Sequence, residues 1–225
     1  MRNLSSFLIF IFLTSFLQSN LANSYSEIHS PLAINHHTTR DSIPYDSIRV
    51  ILENACTTDQ AIREKLMESE GNDTLFMSFL GEMSKVDKSN QLAVLPILEK
   101  YGWLPINNVG EKASDGMFYV LQHTVDLDLF RRYLPSIKDL AKKGDTKSWY
   151  AALIEDRLLV HERKKQIYGS QVVTRPQKYQ GKYFVWPIQN PNKVNELRKE
   201  VGLELTVEEN AKRLDAIYNP NEELP

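Results

Sequence analysis

The sequence predicts a mainly α fold: a multi-helix single domain with a small C-terminal β-hairpin. Three observations carry that prediction. Apolar residues recur at helical spacing from Tyr45 to Val160, Gly and Pro stops punctuate that stretch, and two runs rich in β-branched and aromatic residues follow it.

Ile48, Ile51, Leu52 and Ala55 follow the i, i+3, i+4, i+7 rule of an amphipathic helix. Asp59–Met67 reads as another helical stretch, with Ile62 and Leu66 four apart. Gly71-Asn72 then marks a loop before the run FMSFLGEM. Asp87 or Ser89 is placed to cap the next helix, which passes through Leu92, Leu95 and Leu98 to Tyr101. Pro96 either kinks that helix or marks its first turn. Gly102-Trp103-Leu104-Pro105 stops it, since glycine suits a helix end and proline cannot continue one.

Glu111–Thr124 is the following helix, with Met117, Val120, Leu121 and Thr124 on one face. Asp126 or Asp128 opens the helix Leu129–Lys143, bent at Pro135 and ended by Gly144. Asp145 or Thr146 caps the helix Lys147–Val160. Gln166–Val173 and Lys182–Ile188 form the expected hairpin, separated by Arg175-Pro176 and Gly181. Pro191–Val201 returns to helix, Gly202 stops it, and Thr206 with Glu209 has the spacing of a capping box. The expected domain covers 45–219, with the hairpin at about 166–188 and a frayed tail at 220–225.

The N-terminus differs in kind. Phe7–Leu17 carries no charge, follows a basic Arg2, and is shorter than the roughly 20 residues of a membrane-spanning helix. With the small residues Ala22 and Ser24 flanking Asn23, it reads as a signal peptide over 1–24, followed by a flexible leader over 25–44. The expected location is exported, in the periplasm or cell envelope if bacterial, with no stable membrane insertion after cleavage. His29, His36 and His37 in the leader have no carboxylate or Cys companion and read as solvated, so no metal is expected there.

The lone Cys56 cannot form an internal disulfide and is expected to be unpaired and buried, leaving stability to the core. Removing Arg2 from 27 basic side chains, against 29 acidic ones, leaves a mature net charge near −3. That balance gives no electrostatic reason to expect nucleic acid. No phosphate-cradling Gly loop, His-Glu-x-x-His or Gly-x-Ser-x-Gly occurs, and no cofactor is expected.

Asp156 is the strongest local anomaly. It falls on the apolar stripe of Trp149, Ala152, Leu153 and Val160, where a carboxylate costs several kcal/mol unless it is paired or hydrogen-bonded. Either an Arg or the hairpin's N–H groups hold it structurally, or it lines a pocket. Gln122-His123 closes an apolar helix and offers either a satisfied polar group or an acid/base. In a strand, Gln166, Tyr168 and Ser170 would share one face, with Gln171 on the other unless Gly169 permits a bulge. Asp59 and Arg63, four apart, read as a surface ion pair worth a few tenths of a kcal/mol.

These segments together resemble the DUF6624 family, a bacterial family of unknown function. The likeness rests on Asp59-Gln60 with Arg63, Asp87 with Asn90, Tyr101-Gly102-Trp103, and Gly110 with Ala113. It continues through Gln122-His123, Asp156-Arg157, Gln166-x-Tyr168-Gly169-Ser170-Gln171 and Trp186-Pro187-Ile188. Two departures stand out: Ser170 replaces the usual Thr, and Leu104 intervenes before Pro105. The resemblance implies that Gln122, His123, Asp156, Arg157, Gln166, Tyr168 and Gln171 form one motif set and converge in space.

Two functions fit. The first is a polar pocket that is ligand-binding or structural, its partner a small molecule or peptide. The alternative is a cofactor-independent hydrolase or lyase with His123 and Asp156 as acid/base pair. In that case Arg157 would bind an anionic group, and Gln166, Tyr168 and Gln171 would position substrate.

Overall fold

One unbroken helix, α1 (Tyr45–Glu68), merges the two helical stretches that the spacing separates. It belongs to a computed structural model that describes residues 43–69, 71–174 and 176–224. The expected signal peptide, nearly all of the leader, and His29, His36 and His37 lie outside the described residues. After the loop at Gly71, α2 (Asp73–Tyr101) begins where the Asn72 side chain accepts a hydrogen bond from the Leu75 N–H. Asp87 is therefore an interior residue of α2 and not a cap, and Pro96 lies far inside the helix. The helix ends at Gly102, as its sequence predicts.

A short turn, α3 (Ile106–Val109), leads into α4 (Glu111–Gln122). Asp126 caps α5 (Leu127–Lys142) by accepting from the Asp128 N–H. The helix α6 (Ser148–His161) follows, without a side-chain cap from Asp145 or Thr146. Those two groups are engaged elsewhere: Asp145 accepts from Asn107, and Thr146 from the Trp103 indole.

α1 packs mainly on α4 and α2, and α5 packs on α6. Leu52, Leu98, Phe118, Phe130, Tyr150 and Ile154 are buried in the helical core, where the Phe118 and Tyr150 rings stack. Cys56 is buried and free. Gly116 of α4 touches α1 at Leu52, and seven residues further on in both helices His123 meets Asp59. The equal steps mean that α1 and α4 run in the same direction. A Cβ at Gly116 would stand 2.1 Å from the Leu52 carbonyl oxygen, so only glycine allows this approach.

Beyond α6 a three-stranded sheet forms in the order β1 (Val172–Thr174), β2 (Tyr183–Val185), β3 (Ala216–Ile217). β1 and β2 make the antiparallel pair of the expected hairpin, with α7 (Pro176–Tyr179) between them. β3 adds a parallel edge that the hairpin reading lacked. Residues 166–171 are not strand, as alternation assumed, but a loop that touches the sheet region through one Gln166–Ile188 bridge. α8 (Val194–Glu200) and α9 (Val207–Arg213) follow, and Thr206 and Glu209 close the predicted capping box.

Over residues 220–224 the tail expected to fray is instead tied down at Glu222. Glu222 is buried and accepts from Lys178 and Tyr179, tying the tail to α7. Among the described residues, no helix is long and apolar enough to cross a membrane.

Candidate active site

Three helices bring four charged or titratable side chains together. α1 carries Asp59 and Arg63 one turn apart, α2 carries Asp87, and His123 ends α4. Asp59 Oδ1 receives Arg63 Nη1 at 2.7 Å and lies 2.8 Å from His123 Nδ1. Its Oδ2 accepts from Gln60 Nε2 at 2.6 Å. The same guanidinium donates from Nη2 to Asp87 Oδ1 at 2.9 Å. Asp59 is 1 % exposed, Arg63 4 % and His123 8 %. The spacing reads Asp59 and Arg63 as a surface pair, and the structure corrects that: α1 is covered by α4 on one side and α2 on another, and both side chains lie between them.

Burial pushes the Asp59 carboxyl up, but the charge and hydrogen bond of His123, the charge of Arg63 and the Gln60 amide outweigh it and hold it below its ordinary value. An ionised carboxylate only accepts hydrogen bonds, so His123 must donate from Nδ1 and keep its lone pair on Nε2 when neutral. Among the described residues Nε2 has no hydrogen-bond partner, and it is not one of their sealed polar atoms, so none of them closes it off. The Tyr119 ring lies parallel to the imidazole, with centroids 6.3 Å apart. Asn90, one turn after Asp87, braces the helix pair: its amide donates to the Ala55 carbonyl, and Thr58 donates to its Oδ1.

Asp59, Asp87 and His123 each present a potential metal-ligand atom, all within 4.8 Å of one another. Arg63 already spans the two carboxylates, so a divalent cation there would compete with a guanidinium. The arrangement as it stands is a histidine oriented by a carboxylate, with that carboxylate fixed by an arginine and a second acid.

Asp156 lies in a different constellation. It is fully buried, and its oxygens accept from the N–H groups of Ile167, Tyr168 and Ser170 and from the Ser170 hydroxyl, at 2.7 to 3.2 Å. Burial pushes its carboxyl up, and these donors pull it back. Gln166 clamps the same loop, donating to the carbonyls of Gln171 and Trp186 and accepting from the Gln171 N–H. Gln171 donates to Ser170, and Arg198 donates to the Tyr168 carbonyl. At Gly169, φ is +64°, and a Cβ would fall 2.7 Å from Val207 and 2.8 Å from Ile188. The loop therefore wraps the carboxylate with five hydrogen bonds, none of them from His123, whose carboxylate partner is Asp59.

Arg157, the next residue on α6, does reach the end of α4. Its Nη1 donates to the Gln122 carbonyl at 2.8 Å, and its guanidinium lies over the Phe130 ring. The Gln122 side chain is wholly buried, and neither its amide nitrogen nor its oxygen has a partner. Of the seven residues singled out by sequence, Gln122, His123 and Arg157 thus gather at one end of α4, while Asp156, Gln166, Tyr168 and Gln171 build the loop. Asp59, Arg63 and Asp87 were not singled out, although the family likeness already grouped Asp59-Gln60 with Arg63 and Asp87 with Asn90.

Fold and site together define a mainly helical protein with a buried carboxylate–imidazole pair stiffened by an arginine bridge. Residues 48–221 match the family of unknown function DUF6624, and the chain belongs to that family. No curated protein and no solved structure matches it.

Proposed function

We propose that the protein is an acid/base enzyme, a hydrolase or lyase in which His123 transfers the proton and Asp59 is its orienting carboxylate. The observation that carries this reading is the 2.8 Å contact between His123 Nδ1 and Asp59, with Nε2 left without a hydrogen-bond partner among the described residues and not sealed by them. Asp59 takes the place that Asp156 held in the sequence-based alternative, and the enzyme reading is better supported than a purely binding or structural pocket. In the proposed reaction, Nε2 accepts a proton from water or from an acidic substrate position. Asp59 stabilises the imidazolium that forms, and Nε2 then returns the proton to the leaving group. Arg63 and Asp87 hold Asp59 in position and touch no reacting atom. We further propose export through residues 1–24, with a mature chain beginning near Tyr25.

The test has two parts. A panel of chromogenic esters, phosphate esters, glycosides and peptides is assayed with the wild type and His123→Gln. Activity should fall at least about 100-fold in the variant, the usual weight of one positioned acid/base group, with circular dichroism unchanged. Activity that survives intact in His123→Gln, or that depends on an added divalent metal, would overturn the proposal. Independently of substrate, ¹⁵N NMR of labelled histidine should show neutral His123 protonated on Nδ1; an Nε2-protonated tautomer would contradict the dyad.

A further inference from the structure

We propose that Arg157 is the receptor for an oxyanion on the substrate, a carboxylate or phosphate group, bound at the end of α4 beside His123. This deepens the acid/base reading and rests on it for the role of His123. Arg157 is only 6 % exposed, yet among the described residues no carboxylate pairs with it. The other two buried arginines are compensated: Arg63 by Asp59 and Asp87, and Arg198 by two carbonyls and the charge of Asp156.

Burial alone pulls the Arg157 guanidinium down to about 10, with no acidic neighbour to offset it. Buried charges are ordinarily paired, so an unpaired one is costly unless a ligand completes it. The negative end of α4 and the Phe130 face supply part of the compensation. They occupy one N–H and one face of a five-donor fork. Among the described residues Nε and Nη2 have no hydrogen-bond partner and are not sealed, so an oxyanion can meet them side-on in the bidentate geometry that guanidinium favours.

Position links this receptor to the dyad. The carbonyl that Arg157 holds belongs to Gln122, whose carbonyl carbon is bonded directly to the His123 nitrogen. An oxyanion on Arg157 therefore anchors its molecule at the same helix end as His123. The class of substrate that follows is a small molecule with an anionic group near the bond or proton on which His123 acts.

Inorganic phosphate and acetate are titrated separately into the full chain, with chloride at matched ionic strength, while the Arg157 Nε–Hε resonance is followed by NMR. Both the resonance and the melting temperature should shift saturably with phosphate or acetate and not with chloride. Arg157→Gln should weaken binding at least about 10-fold, as for loss of a charged hydrogen bond, and Arg157→Lys should weaken it less. His123→Gln should leave binding within about two-fold, which separates failure of this proposal from failure of the acid/base reading. Unchanged affinity in folded Arg157→Gln, an equal response to chloride, or an Nε–Hε resonance unmoved at saturating phosphate and acetate would each overturn it. Because the resonance is read in the wild type, the test holds even if Arg157→Gln does not fold.

Discussion

Gly116→Ala should damage the dyad without touching it. A Cβ built on Gly116 lies 2.1 Å from the Leu52 carbonyl oxygen, 3.0 Å from its carbon and 3.3 Å from the Cys56 nitrogen. All three are α1 backbone atoms, so no side chain can rotate aside. A carbon–oxygen contact of about 3.3 Å is near the closest tolerated, so α1 and α4 must part by about 1 Å. Helix propensity alone would favour alanine by about 1 kcal/mol. Overpacking costs about 1–3 kcal/mol, and stretching the His123–Asp59 bond forfeits a charge-assisted hydrogen bond worth about 1.5–3 kcal/mol. The clash wins, with a net loss of about 2 kcal/mol or more.

Urea unfolding should show that loss, and the melting temperature should fall by about 4–8 °C for a chain of this size. The His123 Nδ1 proton should also exchange faster. Gly81→Ala is the control, because Gly81 sits in exposed helix with nothing within 4 Å of its Cβ. It should stabilise the protein by up to about 1 kcal/mol. A Gly116→Ala protein as stable as the wild type, with its Nδ1 proton intact, would refute the claim that the glycine sets the helix spacing.

The remaining predictions concern neighbouring groups. The folded Asp59 carboxyl lies below the ordinary 3.8, so it contributes stability above about pH 4 that is lost as pH falls through its folded value. Acid titration of unfolding free energy should therefore be flatter in Asp59→Asn than in the wild type between pH 5 and about pH 2, and equal slopes would contradict the shift. Gln122→Met keeps the side chain's shape and removes a buried amide with no partner, so stability should rise by about 1–2 kcal/mol. A destabilised Gln122→Met, measured by urea midpoint, would show that the amide is satisfied after all.

Much of the helical frame is legible in the sequence because it rests on local rules. Gly102 terminates α2, and Thr206 and Glu209 open α9 with a capping box. Asp126 is one of the two caps foreseen for α5. The errors arise where a distant partner overrides the local signal. Residues 166–171 alternate like a strand, yet their N–H groups turn inward to meet Asp156, fourteen residues before Ser170 at the furthest. β3 is two residues long and forms only because β2 offers it an edge, so no run of residues announces it. Glu222 lies in a polar tail and is held by Lys178 and Tyr179, more than 40 residues earlier in the chain.

The site was hidden for a different reason, and Asp156 shows what would have uncovered it. Asp156 attracts notice because a carboxylate sits on an apolar stripe and therefore requires polar company, and the loop supplies it. The buried positions of α1 are Ile48, Leu52, Ala55, Cys56, Asp59, Ile62, Arg63 and Leu66. They advance in unbroken steps of three, four and one, so Asp59 and Arg63 stand on an apolar stripe just as Asp156 does. Dividing the helix at Asp59 conceals that continuity and makes an i, i+4 pair of opposite charges look self-sufficient at a surface. A pair on such a stripe is not self-sufficient. Taking it out of water costs several kcal/mol per ion, more than one partner repays, so further polar groups must come from the helices packed on that face. Here α2 brings Asp87 to Arg63 and α4 brings His123 to Asp59. The desolvation debt of one helical turn of α1 is what draws a histidine and a second carboxylate into a single cluster.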